Sequence, residues 1–248
     1  MKIAISQPTY LPWIGYLDLI DQVDLFVILD NVQFAKQTWQ QRNRIRTTAG
    51  LQWLTVPVKL HFGQLISEVE IRKPDFHVDH LRAMELAYRR TAHFQTYFEG
   101  ISGRLAKRES SFLVDLNVSV LAWLMEALAI KTPLVRASSL GQSGKRTELL
   151  ANICSALGAT EYISPAGSAA YLIEEHELLT SRGLEVLFHH YEHPVYRQLH
   201  KPFVPFASVI DLMFNEGEEA LKIVRSGRKP CCSLAEMREL QASAALAM

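Results

Sequence analysis

Asp30 closes an apolar run, Leu25 to Leu29, and Gln33, Trp39, Arg42 and Asn43 follow it closely. A carboxylate at the carboxyl end of a strand can bind a sugar hydroxyl, accept a proton or hold a metal. The planar fork of Arg42 fits a carboxylate or phosphate, while Gln33 and Asn43 add amide hydrogen bonds. The same residues also make an ordinary turn carboxylate paired with arginine, so both readings stand. His190 is a second candidate base, since a neutral imidazole near pH 7 suits proton removal from an attacking amine. With His189, His193 and His200 it matches no zinc spacing, and no cysteine stands beside them. Strand alternation also sends His189 and His190 to opposite faces, so no metal is expected. Tyr191, Tyr196 and Gln198, on the loop that follows, are candidates to close over a ligand.

Two loops add binding candidates. Gln7, Tyr10, Trp13 and Tyr16 lie where a first strand meets a first helix, and the three rings make either a stacking wall for a ligand or a plug in the core. Gly141-Gln142-Ser143-Gly144-Lys145-Arg146-Thr147 fails the phosphate-loop pattern, because Arg146 stands where Ser or Thr should follow lysine. Two glycines, Lys145 and Arg146 at a helix start still make an anion site or, in the plainer reading, a solvated cap. Ser164-Pro165-Ala166-Gly167-Ser168 is a weaker site of the same kind. Cys154 sits with Leu150 and Leu157 on an apolar helix face and reads as core. No Gly-x-Ser-x-Gly elbow is present, so a hydrolase triad is unsupported.

These residues need elements to hold them. Lys2 to Gln7, a helix over Leu11 to Gln22 and Leu25 to Leu29 read as strand, helix, strand, the opening of a parallel βαβ unit. Arg42 to Arg46 and Leu51 to Val58 predict a hairpin turning at Thr48-Ala49-Gly50, with a further strand at Leu65 to Ile71. Helices are predicted over Asp75 to Arg90 and Phe112 to Ile130. Beyond them come strands at Pro133 to Arg136, Glu161 to Ser164 and Leu184 to Tyr191, alternating with helices over Lys145 to Leu157, Ser168 to Leu179 and Ser208 to Val224. The expectation is one α/β domain over residues 1–225: a mostly parallel sheet flanked by helices, Rossmann-like or nucleotidyltransferase-like. A β-hairpin and helical segment are inserted at about residues 39–130, and residues 226–248 form a loosely packed tail.

Composition narrows the partners. With 26 basic and 26 acidic residues among 248, 48% of them hydrophobic, the chain has no cationic field for nucleic acid and enough apolar surface for a core. No apolar stretch reaches the roughly 20 residues of a membrane span, and the structural patterning of the first residues leads to the expectation of no secretory leader. Three cysteines give no disulfide framework. A cytoplasmic protein with a small polar or sugar-like ligand, and neither nucleic acid nor membrane as partner, is expected. No cofactor motif is legible.

The blocks Gln7-Pro8-Thr9-Tyr10-Leu11-Pro12-Trp13-Ile14-Gly15-Tyr16 and Asp24-Leu25-Phe26-Val27-Ile28-Leu29-Asp30-Asn31-Val32-Gln33-Phe34 resemble the WbqC-like family. So do Trp39-Gln40-Gln41-Arg42-Asn43-Arg44-Ile45, Trp53-Leu54-Thr55-Val56-Pro57-Val58, Tyr196-Arg197-Gln198, Phe203-Val204-Pro205 and the run from Ser208 to Gly217. The likeness runs from about residue 2 to residue 225, with Ala207 standing where a larger apolar residue is usual. It implies a bacterial protein linked to O-antigen, other surface-polysaccharide or natural-product gene sets. It also implies a transferase that moves a group, such as an amino-acyl unit, to an amino sugar or related amine. On the residue reading, Asp30 or one of His189 and His190 is the base, Asp30, Arg42 and Asn43 orient polar groups, and the three rings form the wall. The rival is a non-catalytic module that binds a nucleotide sugar or a partner enzyme. Trp13-Ile14-Gly15-Tyr16 occupies the place of the H-x-G-H of nucleotidyltransferase-like folds, but without its histidines.

Overall fold

The computed structural model describes residues 1–107 and 109–246, with side chains described through residue 240. Short runs of branched apolar residues, apolar on both faces, are stable only inside a covered sheet. The chain supplies β1 (Lys2–Ser6), α1 (Ile14–Asp21) and β2 (Leu25–Ile28), then a hairpin of β3 (Arg42–Thr47) and β4 (Gly50–Thr55). Helices α2 (Phe76–Tyr88), α3 (Phe94–Ala106) and α4 (Leu113–Ala127) lead to β5 (Leu134–Arg136), α5 (Thr147–Ala156) and β6 (Glu161–Ser164). Then come α6 (Ala169–Glu174), α7 (Glu177–Thr180), β7 (Glu185–Phe188), α8 (Val209–Glu216), α9 (Ala220–Ser226), β8 (Cys232–Ser233) and α10 (Leu234–Leu246).

The main sheet has six strands in the order β5-β2-β1-β6-β7-β8, and the hairpin is a separate two-stranded antiparallel sheet. Pairings from β5 through β7 are parallel, and β8 joins β7 antiparallel. The protein is therefore α/β, with helices on both faces of a mostly parallel sheet. Alternation assigns the faces. Ala4, Phe26 and Ile28 join the cluster built with α1, the hairpin and α2–α4, whereas Ile3, Ile5 and Val27 join the cluster under α5, α6 and α7. The chain runs outward from β1 through β2 to β5, then returns through α5 to the other side of β1. That reversal opens a crevice at the carboxyl ends of β1 and β6, where open α/β sheets bind ligands.

The hairpin turns inward through Asn43, Ile45 and Leu54, and α4 contributes the buried stripe Leu113, Leu116, Val120, Leu121 and Leu124. The stretch expected as a strand at Leu65 to Ile71 is instead a 3-10 turn, Ile66–Glu68, flanked by isolated bridges at Leu65, Glu70 and Ile71. Glu68 folds back to accept the Leu65 N–H at 3.0 Å, which favours a turn over an extended segment. Two expected helices are broken. Ser168 to Leu179 divides into α6 and α7, and Ser208 to Val224 divides at Gly217, whose φ of 58° is the left-handed conformation glycine tolerates. A Cβ there would lie 2.4 Å from the His93 ring. The segment expected as a tail supplies β8 and α10, burying Cys232 and Met237 in the second cluster. Among the described residues no helix is long and apolar enough to cross a membrane.

Candidate functional site

At the β1/β6 crossover lies a hollow of about 480 Å³. β1 and the loop after it contribute Ser6, Gln7 and Thr9, the loop before β3 contributes Thr38, Trp39 and Gln40, and the β6 side contributes Tyr162, Ser168 and Tyr171. The lining offers amides, hydroxyls and aromatic rings, and none of its residues is acidic, basic or histidine.

A relay of hydrogen bonds fixes the orientation of its amides. The Ala35 N–H donates to Gln40 Oε1 at 3.3 Å, and Gln40 Nε2 donates to Gln7 Oε1 at 2.8 Å. Gln7 is exposed, so its own Nε2 donor is left for a ligand. The backbone carbonyl of Gln40 is held by Asn117 Nδ2 at 2.8 Å, and that of Trp39 by the Tyr10 N–H at 2.9 Å. The two loops on this side of the hollow are thereby tied together. Burial pushes the Tyr162 phenol well above its ordinary pKa, keeping it a neutral hydrogen-bonding group.

Of the residues singled out in the sequence, Gln7, Trp39 and, from the weaker candidate turn, Pro165, Gly167 and Ser168 line the hollow. Arg146 stands beside it, its guanidinium 5.2 Å from the Tyr171 ring centre and 3.2 Å from Glu175, while Lys145 is exposed at the start of α5. The aromatic trio does not form a common wall. Tyr10 is fully buried with its hydroxyl 2.8 Å from His80 Nδ1. Tyr16 is buried and donates to the Gln7 carbonyl at 3.0 Å. Trp13 packs away from the hollow against Tyr191, His193 and Phe206.

Gly15 serves that last packing: its position lies under the Trp13 indole, and an added Cβ would sit 2.2 Å from it. Gly15→Ala is expected to displace the indole and cost about 1–3 kcal/mol, the usual range for overpacking, visible as a lower melting temperature and a changed near-ultraviolet dichroism.

Asp30 and Arg42 do not meet. The Asp30 carboxylate, wholly buried, accepts from Arg136 Nε at 2.6 Å, from the Ser138 N–H at 2.8 Å and from Ser138 Oγ at 2.8 Å. Arg42 instead stacks on Trp53, 4.2 Å from the ring centre. Asn43 is buried and donates to the carbonyls of Tyr10 and Leu11, at 3.2 and 2.7 Å, bracing a turn in which Leu11 holds a φ of 45°. Gln33 is exposed.

His190 lines a separate groove with Lys229, Pro230 and Cys231, and His189 is buried against Asp18 at 2.8 Å. Tyr196 and Gln198 both donate to Asp211 Oδ2, at 2.7 and 2.8 Å, inside the protein, and burial raises that carboxyl's pKa. Burial also pushes the Cys154 thiol up to about 12, as suits a core position.

Thr38, Gln40, Tyr162 and Tyr171 escaped the sequence reading, which reached Ser168 through the Ser164-to-Ser168 turn. The signal available was positional: Ser168 closes the Ser164-to-Ser168 turn that follows a strand. Nothing local places Thr38 or Gln40 opposite it.

Fold and hollow define a Rossmann-like α/β protein with a candidate small-ligand site at its strand crossover. Residues 7–223 match the WbqC-like protein family, and the chain belongs to that family. It is similar to the "Uncharacterized protein Rv1507c" of Mycobacterium tuberculosis (strain ATCC 25618 / H37Rv), 37% identical over 231 residues, covering 92% of this chain and 99% of the relative. No solved structure gives a significant match.

Proposed function

We propose that the crossover hollow binds a sugar-like polar ring and that the protein serves group transfer, such as amino-acyl transfer, onto an amino sugar or similar amine in surface-polysaccharide or natural-product assembly. The observation that supports this reading most is the lining itself: oriented amides and hydroxyls beside Trp39, Tyr162 and Tyr171, with no charged side chain among them. Neutral donors and acceptors match ring hydroxyls, and aromatic surfaces cover the apolar C–H face of a sugar. Membership of the WbqC-like family is in keeping with that assembly context.

In this reading Gln7 donates to a ring hydroxyl and Tyr171 stacks, while Asn43 and Asp30 act as positioning residues for the loops. The transfer itself joins an acyl carbon to the acceptor nitrogen as the bond from that carbon to the donor's leaving group breaks, the leaving group taking the electron pair and the nitrogen's surplus proton passing to it or to water. A free amine nucleophile supplies its own lone pair, so general-base help is a rate factor of about 10²–10⁴ rather than a requirement. A second reading, a binding module without chemistry, draws support from the same wall, whose only ionisable groups are two tyrosines.

Calorimetric titration with amino sugars and their N-acyl forms tests the site. Tyr171→Ala is expected to weaken binding about tenfold, and Ser168→Phe, which fills the hollow, to abolish it. Unchanged affinity in both variants rejects the hollow. Product formation from a bound sugar and an activated amino-acyl donor distinguishes the transferase from the module.

A further inference from the structure

Beside the hollow, the hairpin presents an outward face with an uncommon composition. Arg42 and Arg44 alternate along β3, and Trp53 on β4 pairs directly across from Arg44. Trp39 lies against Trp53, ring centres 5.4 Å apart and planes 36° apart. Arg44 sits 5.3 Å from the Trp53 ring centre and 5.5 Å from that of Trp39, and Arg42 covers Trp53 at 4.2 Å. Such a ladder can simply brace a hairpin.

Three observations exceed bracing. Both indoles stay open to solvent, Trp39 48% and Trp53 42% exposed. Neither guanidinium has a carboxylate partner among the described residues, and the buried Nε of each, like that of Arg46 on the same strand, is without a hydrogen bond. Trp39 also lines the hollow, so the two surfaces are continuous.

We propose that this Trp39–Trp53–Arg42–Arg44 face is the subsite for the nucleoside diphosphate part of a nucleotide sugar. The base stacks on the indoles, the guanidinium forks take the diphosphate oxygens, and the sugar enters the adjoining hollow. This rests on the hollow being the sugar site. Stacking requires a flat π-surface and tolerates base identity. Arginine held flat on an aromatic ring keeps its in-plane N–H donors for a phosphate. A neutral sugar would leave both cations uncompensated, and a net charge of zero over the chain gives no extended track for a polynucleotide.

Titration with UDP alone, followed by calorimetry and by quenching of tryptophan fluorescence, reads this face without the hollow. UDP is expected to bind and quench, and Trp53→Ala and the Arg42→Gln/Arg44→Gln pair are each expected to weaken it at least about tenfold. Trp53→Phe, which keeps a ring and guards against a folding defect, is expected to recover part of that loss. Ser168→Phe is expected to leave UDP affinity unchanged while abolishing binding of the free sugar. UDP affinity that is indifferent to the Trp53 and arginine variants overturns the subsite even if free sugar still binds in the hollow. Free sugar that fails to bind while UDP binds at the indoles overturns the hollow and leaves the hairpin a nucleotide site. A single-stranded oligonucleotide that binds through the same residues more tightly than UDP overturns the nucleotide-sugar assignment.

Discussion

Replacing Asp30 with alanine is expected to lower the free energy of unfolding by about 3 kcal/mol, near the bottom of the range for removing one member of a buried ion pair. Three donors converge on its carboxylate, two from Ser138 and one from Arg136, and all three lose their acceptor together. Arg136 retains Asp115 at 2.7 Å and is 33% exposed, which keeps the penalty from the upper end. The Arg136 bond ties the loop after β2 to the last residue of β5, across 106 residues of sequence. Equilibrium urea unfolding measures the loss directly. The variant also separates two roles for this residue. An anchor costs stability and leaves the sugar affinity of the folded fraction near its original value. A catalytic base costs turnover while the urea midpoint stays in place, and that outcome would sink the anchoring role.

Acidification is expected to destabilise the protein through His80 by up to about 3 kcal/mol. Burial lowers the imidazole pKa from 6.5 to about 4, the Thr55 backbone hydrogen bond and Asp79 opposing this only in part. Between those values the unfolded chain binds a proton that the folded chain does not. The contribution is therefore complete above pH 6.5 and lost as the pH falls toward 4. His80 carries the Tyr10 hydroxyl at 2.8 Å, so charging it disturbs the loop behind the hollow as well as α2. His193, whose pKa burial also lowers, adds to the same trend. Urea midpoints at pH 7 and pH 4.5 for the parent chain and for His80→Gln resolve the share of His80. The variant's midpoint should shift distinctly less between the two pH values, and an equal shift in both proteins would assign the acid sensitivity elsewhere.

How far the molecule could be read from its sequence follows from the range of the forces involved. Period and run length are local, so the residues of β1, β2, β6 and β7 announced buried strands. The parallel sheet and its inserted hairpin followed from the alternation of those elements. α3 was passed over because its buried set, Phe94, Ile101 and Leu105, is sparse, with a glycine on either side of Ile101. The segment after residue 226 looked polar and small, yet an edge strand needs only two residues opposite β7 to be held.

The chain's own order of residues decided the α/β class, the insertion between β2 and β5, and the crevice at the carboxyl ends of the strands that is the candidate site, because these depend on periodicity and handed connections. Tertiary packing alone decided which side chains reach that position. Gln7 and Trp39 arrived there, Tyr10 and Tyr16 turned into the core, and Asp30 was claimed by Arg136 and Ser138. The reason is physical. A polar or aromatic side chain leaves no periodic trace of its partner, and buried groups take whichever donor or apolar surface the fold brings near, however distant it is along the chain.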